Sequence, residues 1–80
     1  MTDSATRKRV CVLVDAASGP YIMVSRDQLD LVLKVLSENN IPHWASHLAV
    51  SVDGGPMIVD VYVGKRTDPQ SVQALLDAVA

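Results

Sequence analysis

Apolar and polar positions change rhythm along this chain, and each change marks an element. From Ser25 to Asn40 the sequence reads SRDQLDLVLKVLSENN. Leu29, Val32, Leu33 and Leu36 recur at i, i+3, i+4, i+7, which predicts one buried helix face. Ser25 and Gln28 have the S-x-x-Q spacing of a capping box, and Val24 with Leu29 that of a hydrophobic staple. Asn39 is suited to a left-handed C-terminal position, and Pro42 prevents continuation. Leu31 and Val35 lie outside the stripe and widen the apolar arc to roughly 200°. That extra side must meet a second helix or another chain.

Elsewhere the rhythm is that of strands. Val10-Cys11-Val12-Leu13-Val14 is a continuous apolar run, expected of a strand buried on both faces. Ala16 to Pro20 reads as a turn. Tyr21 to Val24 reads as a hairpin partner of that strand or as an extended lead into the helix. His43 to Val52 alternates: Trp44, Ser46, Leu48, Val50 and Val52 on one side, His43, Ala45, His47, Ala49 and Ser51 on the other. Asp53-Gly54-Gly55 predicts a tight hairpin, because a type I′ turn needs positive φ at both central positions. Met57, Val59, Val61 and Val63 then alternate with Ile58, Asp60 and Tyr62. Asp68-Pro69 is an N-cap followed by proline at the first helical position, and Val72, Leu75, Leu76 and Val79 mark a second amphipathic helix.

The expected order is therefore β-α-β-β-α, an α+β domain of the ferredoxin-like or split β-α-β kind. Its sheet is mainly antiparallel, with both helices on one face. Residues 1–8 read as a flexible tail and residues 9–80 as one domain. This plan lacks its usual fourth strand, so Val10, Val12 and Val14 would stand on an open edge that invites pairing with another chain. Leu31 and Val35 are the competing interface candidates.

Composition sharpens this picture. Eighty residues, 49% of them hydrophobic, bury only about 60–65% of the unfolded surface, so association would add stability. With one Trp, two Tyr and no Phe, the core is aliphatic. A net charge of −2 and a pI near 5.4 argue against a nucleic-acid partner. The basic run Arg7-Lys8-Arg9 reads as a gatekeeper of the first strand. One cysteine allows no internal disulfide, and no apolar run approaches a membrane span or a secretory signal. A cytoplasmic protein without membrane contact is expected.

Together, IPHW, SVDGGP, the V-x-V-x-V-G strand and the VQALLD helix make residues 21–79 resemble small uncharacterised bacterial stand-alone proteins. The resemblance implies no activity, cofactor or catalytic residue.

Four sets of residues invite chemistry. His43 and His47 on one strand would stand roughly 13 Å apart, too far to share a zinc ion, so no metal is expected. Cys11 in an apolar strand reads as a small buried hydrophobe. His47, Asp60 and Tyr62 would approach one another on the sheet face away from the core, where a histidine beside a carboxylate and a phenol could do acid–base work. Lys65 and Arg66, ahead of a helix, form a weak anion-binding candidate without a P-loop frame. The reading that accommodates all of this is a non-enzymatic interaction or regulatory module without a cofactor: a homodimeric adaptor, an antitoxin- or immunity-like neutraliser, or a regulatory subunit. The alternatives are an ACT-like domain sensing a small ligand and, third, a small enzyme built on His47, Asp60 and Tyr62.

Overall fold

The computed structural model describes residues 1–51 and 54–79, and only the backbone of residues 47–50. The element order is β1 (Val12–Asp15), β2 (Gly19–Ser25), α1 (Arg26–Glu38), β3 (Trp44–Ser51), β4 (Met57–Tyr62) and α2 (Pro69–Asp77). Four antiparallel strands form one sheet in the order β1-β2-β4-β3. The order is thus β-β-α-β-β-α, with one strand more than the β-α-β-β-α expectation. Tyr21–Val24 belongs to β2, a central strand, and the first apolar run supplies the fourth strand at its side.

Both helices pack on one face of the sheet. Ile22, Val24, Val61 and Val63 meet Val32, Val35 and Leu36 of α1 and Val72 and Leu76 of α2 in one apolar cluster. Val35 is buried there, so half of the extra arc on α1 is covered within the chain; Leu31 remains 38% exposed. Val35 is therefore not a free interface residue.

The run Val10–Val14 is not a strand buried on both faces. Val10 is core but precedes β1, Val12 is half-buried, and Val14 is 66% exposed. Its outer edge is not simply open. Gln73 of α2 accepts the Val12 N–H at 2.8 Å and donates to the Val10 carbonyl at 3.1 Å, taking the place of a neighbouring strand.

The N-terminal segment expected as a tail is docked. Met1 and Asp3 are buried, Val10 N–H donates to the Met1 carbonyl at 2.9 Å, and the Met1 amino group donates to the Leu76 carbonyl at 2.6 Å. Asp3 replaces the expected capping box. Ser25 precedes α1 in extended conformation, but its side chain caps nothing. Instead its hydroxyl and its N–H both donate to the Asp3 carboxylate, at 2.7 Å each, and Gln28 Oε1 accepts from the Ser4 N–H at 3.2 Å. The helix begins where the sequence pattern placed it, for a different reason.

At its other end the left-handed residue is Asn40, φ 56°, not Asn39. Ile41 N–H reaches the Leu36 carbonyl and Asn40 N–H the Ser37 carbonyl, a Schellman pair, while Ile41 packs on the core. Asp68 caps α2 as expected, accepting from Gln70 N–H at 3.0 Å with Pro69 at the first position. The β3–β4 connection is longer than a two-residue turn: the last paired residues are Ser51 and Met57. Asp53, in the expected turn, lies outside the described residues.

Candidate functional site

The helices leave the second face of the sheet uncovered, and pairing register decides what stands on it. Leu13 pairs with Tyr21, Tyr21 with Tyr62, and Tyr62 with Trp44. Their neighbours in the adjoining row, Val12, Ile22, Val61 and Ala45, pack toward the helices, so the alternation of a strand sends this row the other way. All three aromatic residues of the chain therefore share one row that crosses the whole sheet. Tyr62 is its centre: its ring lies 6.0 Å from Tyr21, tilted by 37°, and 5.9 Å from Trp44, stacked at 22°. Such offset pairs add stabilisation beyond their burial, about 0.5–1.5 kcal/mol each.

Large apolar side chains on this face are exposed. Trp44 is 54% exposed and Met23 48%, with Leu13 also exposed. Met23 pairs with Asp60, so a carboxylate stands beside it, and Ser25 pairs with Ile58 at the far end of β2, where Ser25 is buried against Asp3. There a hollow of about 230 Å³ opens between the sheet and the N-terminal segment, bordered by Lys8, Arg9, Leu13 and Met23. At the opposite corner a cleft of about 320 Å³ is lined by Ala17, Ser18, Trp44, Tyr62 and Lys65.

The residues expected to carry chemistry are distributed unevenly. Asp60 and Tyr62 do share the open face, two residues apart on β4. The side chain of His47 lies outside the described residues, and its strand has a register shift between Ala45 and Ala49. His43 is not on a strand: its ring contacts the Ile41 carbonyl at 2.8 Å and the Ser37 hydroxyl at 3.4 Å, in the turn after α1. Cys11 is half-buried beside β1, with its thiol 3.5 Å from the Arg9 carbonyl. Among the described residues no three His, Cys, Asp or Glu side chains cluster as metal ligands.

Two carboxylates have displaced titrations, and both do structural work. Burial pushes the Asp3 carboxyl up, but four hydrogen bonds, from the Ser25 N–H and hydroxyl and the Thr6 and Ala5 N–H groups, together hold it below the ordinary range. The Arg9 guanidinium holds Asp77 low through a hydrogen-bonded pair at the surface, aided by Gln73. Neither lies on the aromatic row.

Lys65 and Arg66 separate in role. Lys65 lines the corner cleft and has no ion-pair partner among the described residues, while Arg66 is not part of the cleft lining. The aromatic row was missed by reasoning from sequence because positions 21, 44 and 62 have no common period; only strand pairing aligns them.

No protein-family model matches the chain, and no curated protein or solved structure matches it. No helix among the described residues is long and apolar enough to cross a membrane.

Proposed function

We propose that this chain is a non-enzymatic interaction module, working as a cytoplasmic homodimer in which the uncovered sheet face of one copy packs on that of another. One observation carries the reading: Tyr21, Tyr62 and Trp44, every aromatic residue in the sequence, stand in a single row on the face that the helices leave open. Aromatic side chains are favoured anchors of interfaces. An aromatic row on an uncovered face is costly to leave in water.

Size supports a second copy as the occupant. The molecule measures 34 × 30 × 17 Å, the short axis matching one sheet and one helix layer. An ellipse on the two long axes covers roughly 800 Å², the area each partner contributes to a standard-size interface. Two such faces would meet as aligned sheets about 10 Å apart. The Gln73 bracket on β1 weighs against pairing along that edge.

β2-α1-β3-β4-α2 follows a split β-α-β path, since β4 lies between β2 and β3. The added β1 occupies the place that a C-terminal strand takes in a ferredoxin-like sheet. This kinship is an inference from topology, and it carries no activity. Acid–base chemistry gains little support: Asp60 and Tyr62 stand on a broad face beside exposed Trp44 and Met23, where water is not excluded.

Light scattering on the eluting chain tests the reading. A mass near twice 8.6 kDa at micromolar concentration is expected. A mass of 8.6 kDa at every concentration overturns the homodimer.

A further inference from the structure

The corner cleft brings a lysine into one lining with two of the rings. Trp44 and Tyr62 form one apolar wall, Ala17 and Ser18 of the β1–β2 turn another, and Lys65 stands at the side. Each wall is braced within one chain. Asp15 Oδ1 accepts the Ala17 N–H at 2.8 Å, closing the turn. Thr67 donates its hydroxyl to the Val63 carbonyl at 2.5 Å and its N–H to the Gly64 carbonyl at 3.1 Å, closing the loop that carries Lys65.

Turn and loop touch at Gly19. A Cβ there would stand 2.8 Å from Lys65 Cα, so only a glycine lets the two backbones approach this closely. The contact fixes the backbone of Lys65, which shares the cleft lining with Trp44 and Tyr62. The lysine has no carboxylate partner among the described residues. A lysine without an ion pair among the described residues, in one lining with two stacked rings, offers a flat apolar surface and a single positive charge.

We propose that this cleft binds a small molecule consisting of a planar ring and an anionic group, the ring against Trp44 and Tyr62 and the anion at Lys65. Its volume of about 320 Å³ lies at the lower end for small-molecule sites, which suits one ring system with one charged group and excludes a dinucleotide. Nucleoside monophosphates and aromatic carboxylic acids share this chemistry. The site's groups all come from one chain, but it shares Trp44 and Tyr62 with the proposed homodimer face, so ligand and second copy would compete for those two rings.

The test uses the whole chain in ¹⁵N-labelled form, following the single tryptophan's indole N–H and the Lys65 amide. AMP, 4-hydroxyphenylacetate, adenosine and inorganic phosphate are titrated separately. The expected result is a saturable shift of both signals with AMP or with 4-hydroxyphenylacetate, with Kd below about 1 mM. Whichever of the two binds identifies the source of the anion. Adenosine and phosphate should bind at least about fivefold more weakly, since each lacks half of the ligand. Lys65→Gln should weaken the anionic probe by about fivefold while leaving mass in solution unchanged, and Lys34→Gln, on α1, should do nothing. Absence of saturable shifts with both ring acids, equal affinity for adenosine, or an unchanged affinity in Lys65→Gln overturns the proposal.

Discussion

Gln73 brackets Val12. The side-chain oxygen of Gln73 accepts the outward N–H of Val12 at 2.8 Å, while its nitrogen donates to the Val10 carbonyl and to Asp77. A residue of α2 thereby does for the edge of β1 what another strand would do, and that leaves the sheet face as the better place for association.

Removing the bracket should expose the edge. Gln73→Ala is expected to cost about 1–2 kcal/mol, the usual loss when partly buried backbone groups lose their partners. Its denaturation midpoint should fall, and sedimentation at high concentration should show species larger than in the wild type. An unchanged midpoint with unchanged sedimentation would mean that water satisfies these groups equally well.

Asp3 and Ser25 give a second prediction, in which the order of two variants matters. Ser25→Ala removes one hydrogen bond and should cost about 1 kcal/mol. Asp3→Ala leaves the fully buried Ser25 N–H and hydroxyl without an acceptor, and should cost more, about 2–3 kcal/mol. If Ser25 acted mainly as a helix cap, the order would reverse. Urea denaturation of both variants decides between them.

The same carboxylate sets a pH dependence. Its folded pKa is depressed below the ordinary value of about 3.9, so the unfolded chain binds the proton more tightly. The stabilisation it supplies is therefore full above about pH 5 and is lost as pH falls through 4 toward the folded pKa. Asp77 shifts in the same direction, but its exposed pair with Arg9 should respond to salt as well. A melting-temperature profile should fall below about pH 4, and Asp3→Asn should flatten that fall. An identical acid slope in Asp3→Asn would assign it to other carboxylates.

Much of this fold can be read from short-range pattern. The span of α1, the Asp68-Pro69 start of α2 and the alternation of β4 all follow from residues within one or two turns of each other. What escapes is long-range. Asp3 lies 22 positions from Ser25, so a polar start that reads as a tail is in fact the acceptor for the helix entry. Val10–Val14 has the composition of a buried central strand, yet one end enters the core and the other stands in water at an edge. The aromatic row needs the registers of two strand pairs before it exists at all. Lys65 was visible as a candidate anion contact, but its neighbours Trp44 and Ser18 were not, because Gly19 joins two loops far apart in sequence.

Gly19 accordingly should tolerate no side chain. Its φ is +80°, and a Cβ would collide with the backbone of Lys65. Gly19→Ala is expected to cost about 1–3 kcal/mol through strain and displacement of the loop. Thermal denaturation should show a lower midpoint, and an unchanged one would mean that the two loops separate freely.

The central claim is that the aromatic sheet face is the surface by which this chain associates, and sedimentation equilibrium of three proteins tests it most directly. Trp44 is more than half exposed, so Trp44→Glu places a charge on the face without removing a core side chain; Leu31→Glu does the same on α1. The account predicts a dimeric wild type at micromolar concentration, a folded monomer for Trp44→Glu and a dimer for Leu31→Glu. A monomeric wild type, or a Trp44→Glu variant that remains dimeric while Leu31→Glu dissociates, would contradict it.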